Sequence, residues 1–112
     1  MADVNLDKST RTLYRLYISF SGPDDSDQNI AKLSAVISEV FESYTMISAI
    51  GSYQKQFEET TIIEIAVTEE KEKYIFAAAE MIRDQFALEA VGICKVGDYM
   101  RVIKHEQTSP PE

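Results

Sequence analysis

The chain has 112 residues, 45% of them hydrophobic, and its 19 acidic and 11 basic side chains give a formal net charge of −8. This length suits one domain with its own core, and the negative charge opposes binding to nucleic acid or to an anionic membrane. A single cysteine cannot build a disulfide framework, and no apolar run is long enough to span a bilayer. We therefore expect a soluble cytoplasmic protein that binds neither nucleic acid nor membrane.

Polar segments at both ends predict tails at residues 1–11 and 105–112, around a single domain at 12–104. The first predicted strand has the sequence LYRLYISFS, in which polar and apolar residues alternate with a period of two. One face of this strand carries Tyr14, Leu16, Ile18 and Phe20, and the other carries Leu13, Arg15, Tyr17 and Ser19.

Two segments repeat apolar residues at steps of three and four, which predicts amphipathic helices. Asp24, Asp25 or Ser26 is predicted to cap the first helix, and Thr68 the second. The stripe of the first helix is Ile30, Leu33, Val36, Ile37, Val40, Phe41 and Tyr44. The stripe of the second is Ile75, Ala78, Met81, Ile82, Gln85 and Phe86.

Between the helices, TMISAIGSY and FEETTIIEIAV are predicted as two strands joined by a turn at QKQ. In the later strand Thr61, Ile63, Ile65 and Val67 share one face. Glu64 alternates with them, which favours an outward position, paired across strands or solvated, over a catalytic one.

The final segment, AVGICKVGDYMRVIKHE, predicts a fourth strand, a hairpin turn at Gly97-Asp98, and an extra C-terminal strand over YMRVIK. The element order is then strand, helix, strand, strand, helix, strand. This order predicts an α+β fold, the ferredoxin-like split βαβ sandwich, with two helices on one face of an antiparallel sheet.

The segments RLYISFSG, GSYQKQFEETTIIEI and QFALEAVGICKVGDYMRVI resemble a small, uncharacterised bacterial and phage family of αβ proteins. The resemblance covers residues 13 to 103 and includes a glycine followed by an aromatic, an acid-led third strand and a closing hairpin. It implies the ferredoxin-like fold but no established activity.

Motifs for common chemistries are missing from the sequence. The four glycines are separate, so no phosphate-binding loop is predicted. One cysteine and one histidine are too few for the usual zinc sites, and no metal, cofactor or catalytic residue is predicted. We interpret Cys94 as a small core residue and His105 as exposed, and the sequence does not assign a role to either.

The face of the sheet opposite the helices is the candidate binding surface. It is expected to gather a mixed set of aromatic and charged side chains: Arg15, Tyr17, Tyr53, Glu64 and Arg101. The first hypothesis is a non-enzymatic binding or inhibitory module, such as a phage inhibitor. It would form a homodimer or larger assembly and engage a small molecule or a protein there or at the subunit boundary. The alternative is a small dimeric ferredoxin-like enzyme with an acid–base cleft that uses Arg15, Tyr53, Glu64 or His105.

Overall fold

The computed structural model describes residues 10–20 and 26–104, with the side chains of the first helix described from Gln28 onward. Its strands are β1 (Arg11–Ser19), β2 (Thr45–Tyr53), β3 (Gln56–Val67) and β4 (Gly92–Tyr99). Its helices are α1 (Ser26–Val40) and α2 (Glu72–Gln85), and a short 3-10 turn at Glu69–Lys71 precedes α2. Residues 1–9 of the predicted tail at 1–11 and the whole predicted tail at 105–112 lie outside the described residues. The capping aspartates at 24 and 25 and the side chain of Ser26 also lie outside them.

The four strands form one antiparallel sheet in the order β2-β3-β1-β4. Strand β1 lies between β3 and β4, with Arg15 opposite Glu64 on one side and opposite Cys94 on the other. This order, with a helix after β1 and another after β3, is the ferredoxin-like split βαβ arrangement. The predicted fold class is therefore confirmed.

The hydrophobic core lies between the sheet and the two helices. From the sheet it takes alternate residues of β1 and β3, and from the helices it takes the predicted apolar stripes. The fully buried larger side chains are Leu16, Ile18, Leu33, Ile37, Ile63, Ile65, Ile75 and Ile82. Two aromatic pairs close the ends of this layer, Tyr14 with Phe76 and Phe20 with Phe86.

Two residues of the predicted stripe of α2, Met81 and Gln85, have exposed side chains, so their assignment to the buried side is wrong. Ala79 is buried instead. At 100° per residue, Ala79 lies on the same side of the helix as Ile75 and Ile82, whereas Met81 is rotated well away from their mean direction.

The ends of α2 depart from the expected capping chemistry. The side chain of Thr68 makes no capping hydrogen bond, although its backbone carbonyl accepts one from the Lys71 amide. At the other end Leu88 N–H donates to the Arg83 carbonyl, and Ala87 N–H to that of Asp84. These bonds form a Schellman motif, and they place Ala87 in the left-handed region, with φ of 52°.

Strands β2 and β3 form a hairpin longer than the rest of the sheet. The turn residues Gln54 and Lys55 both have positive φ, 50° and 67°, which suits a tight two-residue hairpin. Strand β1 pairs with β3 only from Thr60 onward. The two-stranded portion Ile50–Glu59, named the ribbon below, therefore extends beyond β1.

The predicted hairpin turn at Gly97-Asp98 is wrong, because both residues lie inside β4. Leu13 pairs with Gly97 and Tyr14 with Lys95, so Val96 is an extra residue accommodated by a β-bulge. Gly97 has φ of +148°, a conformation that glycine supplies readily in a bulge as well as in a turn. After β4 the described residues contain no further strand, only an isolated bridge at Val102.

Candidate functional site

One face of the sheet is not covered by the helices. It is named the open face here, and its central residues are Leu13, Arg15 and Tyr17 of β1 beside Ile62, Glu64 and Ala66 of β3. They reach this face because successive residues of a strand point to opposite sides. The residues that alternate with them, Tyr14, Leu16, Ile63 and Ile65, are buried in the core, as the sequence predicted.

Arg15 and Glu64 form an ion pair at the centre of the open face. Arg15 Nε donates to Glu64 Oε2 at 2.7 Å across the β1–β3 register. The hydrogen bond to Glu64 raises the pKa of the Arg15 guanidinium above its ordinary value, with a smaller contribution from the Tyr17 hydroxyl. The predicted outward position of Glu64 is confirmed, and its carboxylate is engaged by a neighbouring cation.

Tyr17 lies over the backbone of β4. A Cβ added to Gly92 would come within 3.3 Å of the Tyr17 Cβ and within 3.6 Å of its ring. Glycine at this position therefore lets the tyrosine ring rest on the neighbouring strand. Tyr17 is partly exposed there, and it follows Arg15 by two residues along the same face of β1.

A pocket of about 150 Å³ opens at the end of the open face where β1 begins and β3 and β4 end. Its lining includes the apolar residues Leu13 and Ala66 and the neutral polar residues Ser43 and Thr45. Charged and aromatic side chains complete the lining: Arg11, Glu64, Arg101, Tyr44 and Tyr99. The structure thus brings Glu64 and Arg101 together, as expected, with Arg15 beside them through its bond to Glu64.

Three of the charged and aromatic lining residues are not predicted from the sequence. The sequence pattern predicts a tail for Arg11 and the stripe of the first helix for Tyr44, whereas Arg11 begins β1 and Tyr44 lies between α1 and β2. The pattern predicts a separate hairpin arm for Tyr99, because it does not reveal the bulge at Val96. In the sequence, Arg11 stands directly before the alternating pattern of the first strand, and this position is the signal that could have placed it at the end of the sheet.

Tyr44 is held by the first helix. Its hydroxyl is hydrogen-bonded to the hydroxyls of Ser34 and Ser38, the latter at 2.7 Å. The bonds from Ser34 and Ser38 lower the pKa of the Tyr44 phenol below its ordinary value, since they favour the phenolate. These bonds fix the position of Tyr44, which packs against the core and is also one of the residues that line the pocket.

Tyr53 does not join this site. It pairs with Gln56 at the tip of the hairpin, eight residues along β3 from Glu64, which corresponds to about 26 Å. The prediction that all five candidate residues lie close together is therefore wrong for Tyr53. An acid–base cleft that combines Tyr53 with Arg15 and Glu64 is not formed, and His105 lies outside the described residues.

The interpretation of Cys94 as a core residue is also wrong. Cys94 is exposed, and it pairs with Arg15, whose side chain lies on the open face. Because β4 is an edge strand, its side chains have a neighbouring strand on one side only. No group of three or more His, Cys, Asp or Glu side chains within the described residues could hold a metal ion.

Exposed apolar side chains concentrate on the ribbon. Phe57 is 84% exposed, Ile50 78% and Tyr53 60%. Since β1 does not reach this part of β3, neither strand of the ribbon has a third strand to pack beside it. An isolated two-stranded hairpin is marginally stable in water, so these side chains are suited to burial by a partner.

A second apolar surface follows the opposite edge of the sheet. The segment Gly92–Lys104, named the β4 segment below, exposes Met100 by 71% and Val102 by 73%, along with Val96 and Ile103. Strand β4 pairs with β1 only, so the backbone groups on its other side have no strand partner in the described sheet.

None of the helices described in the structure has the length and apolar character needed to cross a membrane.

Comparison with family models finds no match, and no curated protein matches the chain. Among solved structures, a phage SAM lyase in the apo state has 11% sequence identity and a TM-score of 0.48, covering 88% of this chain and 94% of that chain. CutA from Synechococcus elongatus PCC7942 has 16% identity and a TM-score of 0.44, covering 85% of each chain.

No family is shown for this chain, since no family model matches it.

Proposed function

We propose that the protein is a non-enzymatic binding module that assembles with copies of itself and engages a small ligand or a protein through the open face. The observation that carries the self-association is the pair of exposed apolar surfaces, the ribbon and the β4 segment, on one small chain. The finer form of this proposal, a phage-borne inhibitor of a basic target, is supported by the acidic balance of the chain.

The positions of the two surfaces favour a head-to-tail contact. The sheet order β2-β3-β1-β4 places the ribbon strand β2 at one edge and β4 at the other. A contact between two different surfaces of identical chains is heterologous, and it produces a closed ring when the rotation between copies closes. We infer that the ribbon of one copy packs against the β4 segment of the next.

Charge supports the same pairing. The β4 segment contains Lys95, Arg101 and Lys104 against one acid, Asp98, although the whole chain has a net charge of −8. The ribbon contains Glu58 and Glu59 against one base, Lys55. A mildly acidic surface facing a mildly basic one steers two copies toward contact and opposes contact between two ribbons.

The test uses one variant for each surface. Phe57→Glu places a charge on the ribbon, and Met100→Glu places one on the β4 segment, both at highly exposed positions where folding tolerates the change. Sedimentation equilibrium should show an assembly for the wild type and a 12.7 kDa monomer for each variant. Mixed together, the two variants should form a 1:1 complex and nothing larger, because each retains one intact surface.

Tyr74→Glu is the matched control, since Tyr74 is an exposed aromatic of α2 and belongs to neither surface. It should assemble like the wild type. A wild-type protein that sediments only as a 12.7 kDa species at micromolar concentration would contradict the proposal. If Phe57→Glu alone abolishes assembly, the contact is ribbon to ribbon, and the head-to-tail arrangement is wrong.

A further inference from the structure

We propose that the pocket at the end of the open face binds a small organic anion, a carboxylate attached to a compact apolar body. This inference deepens the proposed use of the open face for binding and rests on it, but it does not depend on self-association. The pocket is formed by β1, β3, the approach to β2 and the end of β4 of one chain.

The lining separates an apolar region from a cationic one. The apolar lining residues are Leu13 and Ala66, and the aromatic residues Tyr44 and Tyr99 also line the cavity. An apolar lining with a few polar groups that fix orientation is the usual composition of a small-molecule site.

The charged side chains of the pocket favour an anionic ligand. Two guanidinium groups, Arg11 and Arg101, line the pocket, and Glu64 is the one acid among the lining residues that the structure describes. The Glu64 carboxylate is bonded to Arg15 at 2.7 Å, so its charge is opposed by a third cation beside the pocket. A guanidinium presents a planar fork of N–H donors that matches a carboxylate in a bidentate arrangement.

The size of the cavity limits the body of the ligand. Drug-sized ligands and cofactors occupy pockets of about 300–1,000 Å³, which is larger than the 150 Å³ found here. A cavity of about 150 Å³ is enough for one six-membered ring. A benzoate-sized anion with its carboxylate toward the guanidiniums therefore fits, whereas a nucleotide does not.

Methyl NMR tests this assignment with three probes of matched size: benzoate, benzamidine and benzyl alcohol. Benzoate should shift the Leu13 and Ala66 methyl signals in a saturable manner at concentrations up to about 10 mM. The cation benzamidine and the neutral benzyl alcohol should bind at least about tenfold more weakly. Absence of a benzoate-induced shift, or equal affinity for either of the other probes, would overturn the proposal.

Arginine variants test where the carboxylate of benzoate binds. Arg101→Gln should weaken benzoate binding by about fivefold or more, whereas Arg83→Gln, an exposed arginine of α2 bonded to Asp84, should leave it unchanged. Arg11→Gln provides a second pocket variant if the methyl spectrum shows that Arg101→Gln does not fold. Benzoate binding that is unaffected by loss of a pocket arginine, or weakened equally by Arg83→Gln, contradicts the assignment.

The Phe57→Glu variant separates this inference from self-association, because Phe57 lies on the ribbon and not in the pocket. Benzoate should bind this variant as it binds the wild type. If benzoate binds but the wild type is monomeric, only the assembly proposal fails. If the wild type assembles but benzoate does not bind, only the pocket assignment fails.

Discussion

At the scale of single residues, the open face is organised by the contact between Arg15 and Glu64. Both side chains are partly exposed, so solvent and salt screen their attraction, and such pairs contribute only about 0–1 kcal/mol to stability. The same contact keeps a carboxylate from standing unpaired at the edge of the pocket. Its larger role is therefore to set the charge and shape of the surface.

Glu64→Gln tests this division between folding and binding. The substitution should change the free energy of unfolding by less than about 1 kcal/mol, measured by urea denaturation. It removes the negative charge from the pocket lining, so benzoate should bind more tightly. Glu80→Gln, on the exposed surface of α2, is the control and should affect neither quantity. A large loss of stability would show that the pair has a structural role instead.

Tyr44 provides a pH-dependent test. Its folded-state pKa is lowered by the hydrogen bonds from Ser34 and Ser38, so folding favours the phenolate. The resulting stabilisation is present above the ordinary tyrosine pKa of about 10 and is lost as the pH falls through the lowered folded-state pKa. In urea melts, wild type should therefore gain stability relative to Tyr44→Phe as the pH rises to this range.

Tyrosinate absorbance supplies the direct measurement, because the wild-type titration minus that of Tyr44→Phe isolates this phenol. Its midpoint should lie below the ordinary value for tyrosine. Tyr53→Phe, which removes an exposed phenol at the hairpin tip, is the comparison variant. If the stability difference between wild type and Tyr44→Phe does not change with pH, the serine contacts do not favour the phenolate.

At the scale of elements, the period-of-two and helical patterns predicted most of the architecture, because each describes a face that must be buried. The alternation around Glu64 predicted both faces of β3, and the stripe through Leu33 and Ile37 predicted the buried side of α1. The patterns failed for β4. An extra residue at Val96 breaks the alternation there, and an edge strand buries too little apolar surface to reveal it.

The pocket was predicted less completely than the fold, for a physical reason. Its lining comes from the start of β1, the approach to β2 and the ends of β3 and β4, which meet only through the strand order. Periodicity reports which way a side chain points within its own strand. It does not report that Arg11, Tyr44 and Tyr99 reach the same end of the sheet.

Leu33→Ala tests the packing of α1 on the sheet. Leu33 is fully buried, so loss of its side chain should reduce the free energy of unfolding by about 2–5 kcal/mol. The neighbouring Lys32 is exposed, and Lys32→Ala should change stability by no more than about 0.5 kcal/mol. A loss below about 1 kcal/mol for Leu33→Ala in a denaturant melt would contradict this orientation of the helix.

The end of α2 offers a stabilising substitution. Ala87 occupies a left-handed position that glycine adopts without steric cost, and its side chain is exposed. Ala87→Gly should therefore raise the free energy of unfolding by about 0.5–1 kcal/mol. At the exposed Ala90, which is not among the positive-φ residues, Ala90→Gly should lower it through the greater freedom of the unfolded chain. Thermal melts that rank the two variants the other way would contradict the capping geometry.

At the scale of the whole molecule, charge is distributed unevenly. The chain is acidic overall, yet the β4 segment carries three basic residues and the pocket adds Arg11. A short basic segment of this kind suits contact with an acidic surface of a second copy. It is too limited to track the backbone of a nucleic acid, which requires many phosphate contacts.

We therefore expect no measurable affinity for generic duplex DNA. A net charge of −8 opposes approach to the phosphate backbone, and few counterions would be released on contact. Fluorescence anisotropy with a labelled duplex at moderate salt is the measurement. The charge-reversed variant Lys95→Glu should be indistinguishable from wild type. Binding tighter than about 1 μM would refute this prediction.

The bulge at Val96 has a consequence for comparing this chain with relatives. The flanking residues Lys95 and Gly97 pair with Tyr14 and Leu13, which are consecutive in β1, so Val96 alone lacks a place in the ladder. A relative that has one residue fewer at this point keeps every other pairing of β4. An alignment of such sequences should therefore open its gap at Val96. Cys94 would still pair with Arg15, and Tyr99 with Arg11, although the two chains differ in length.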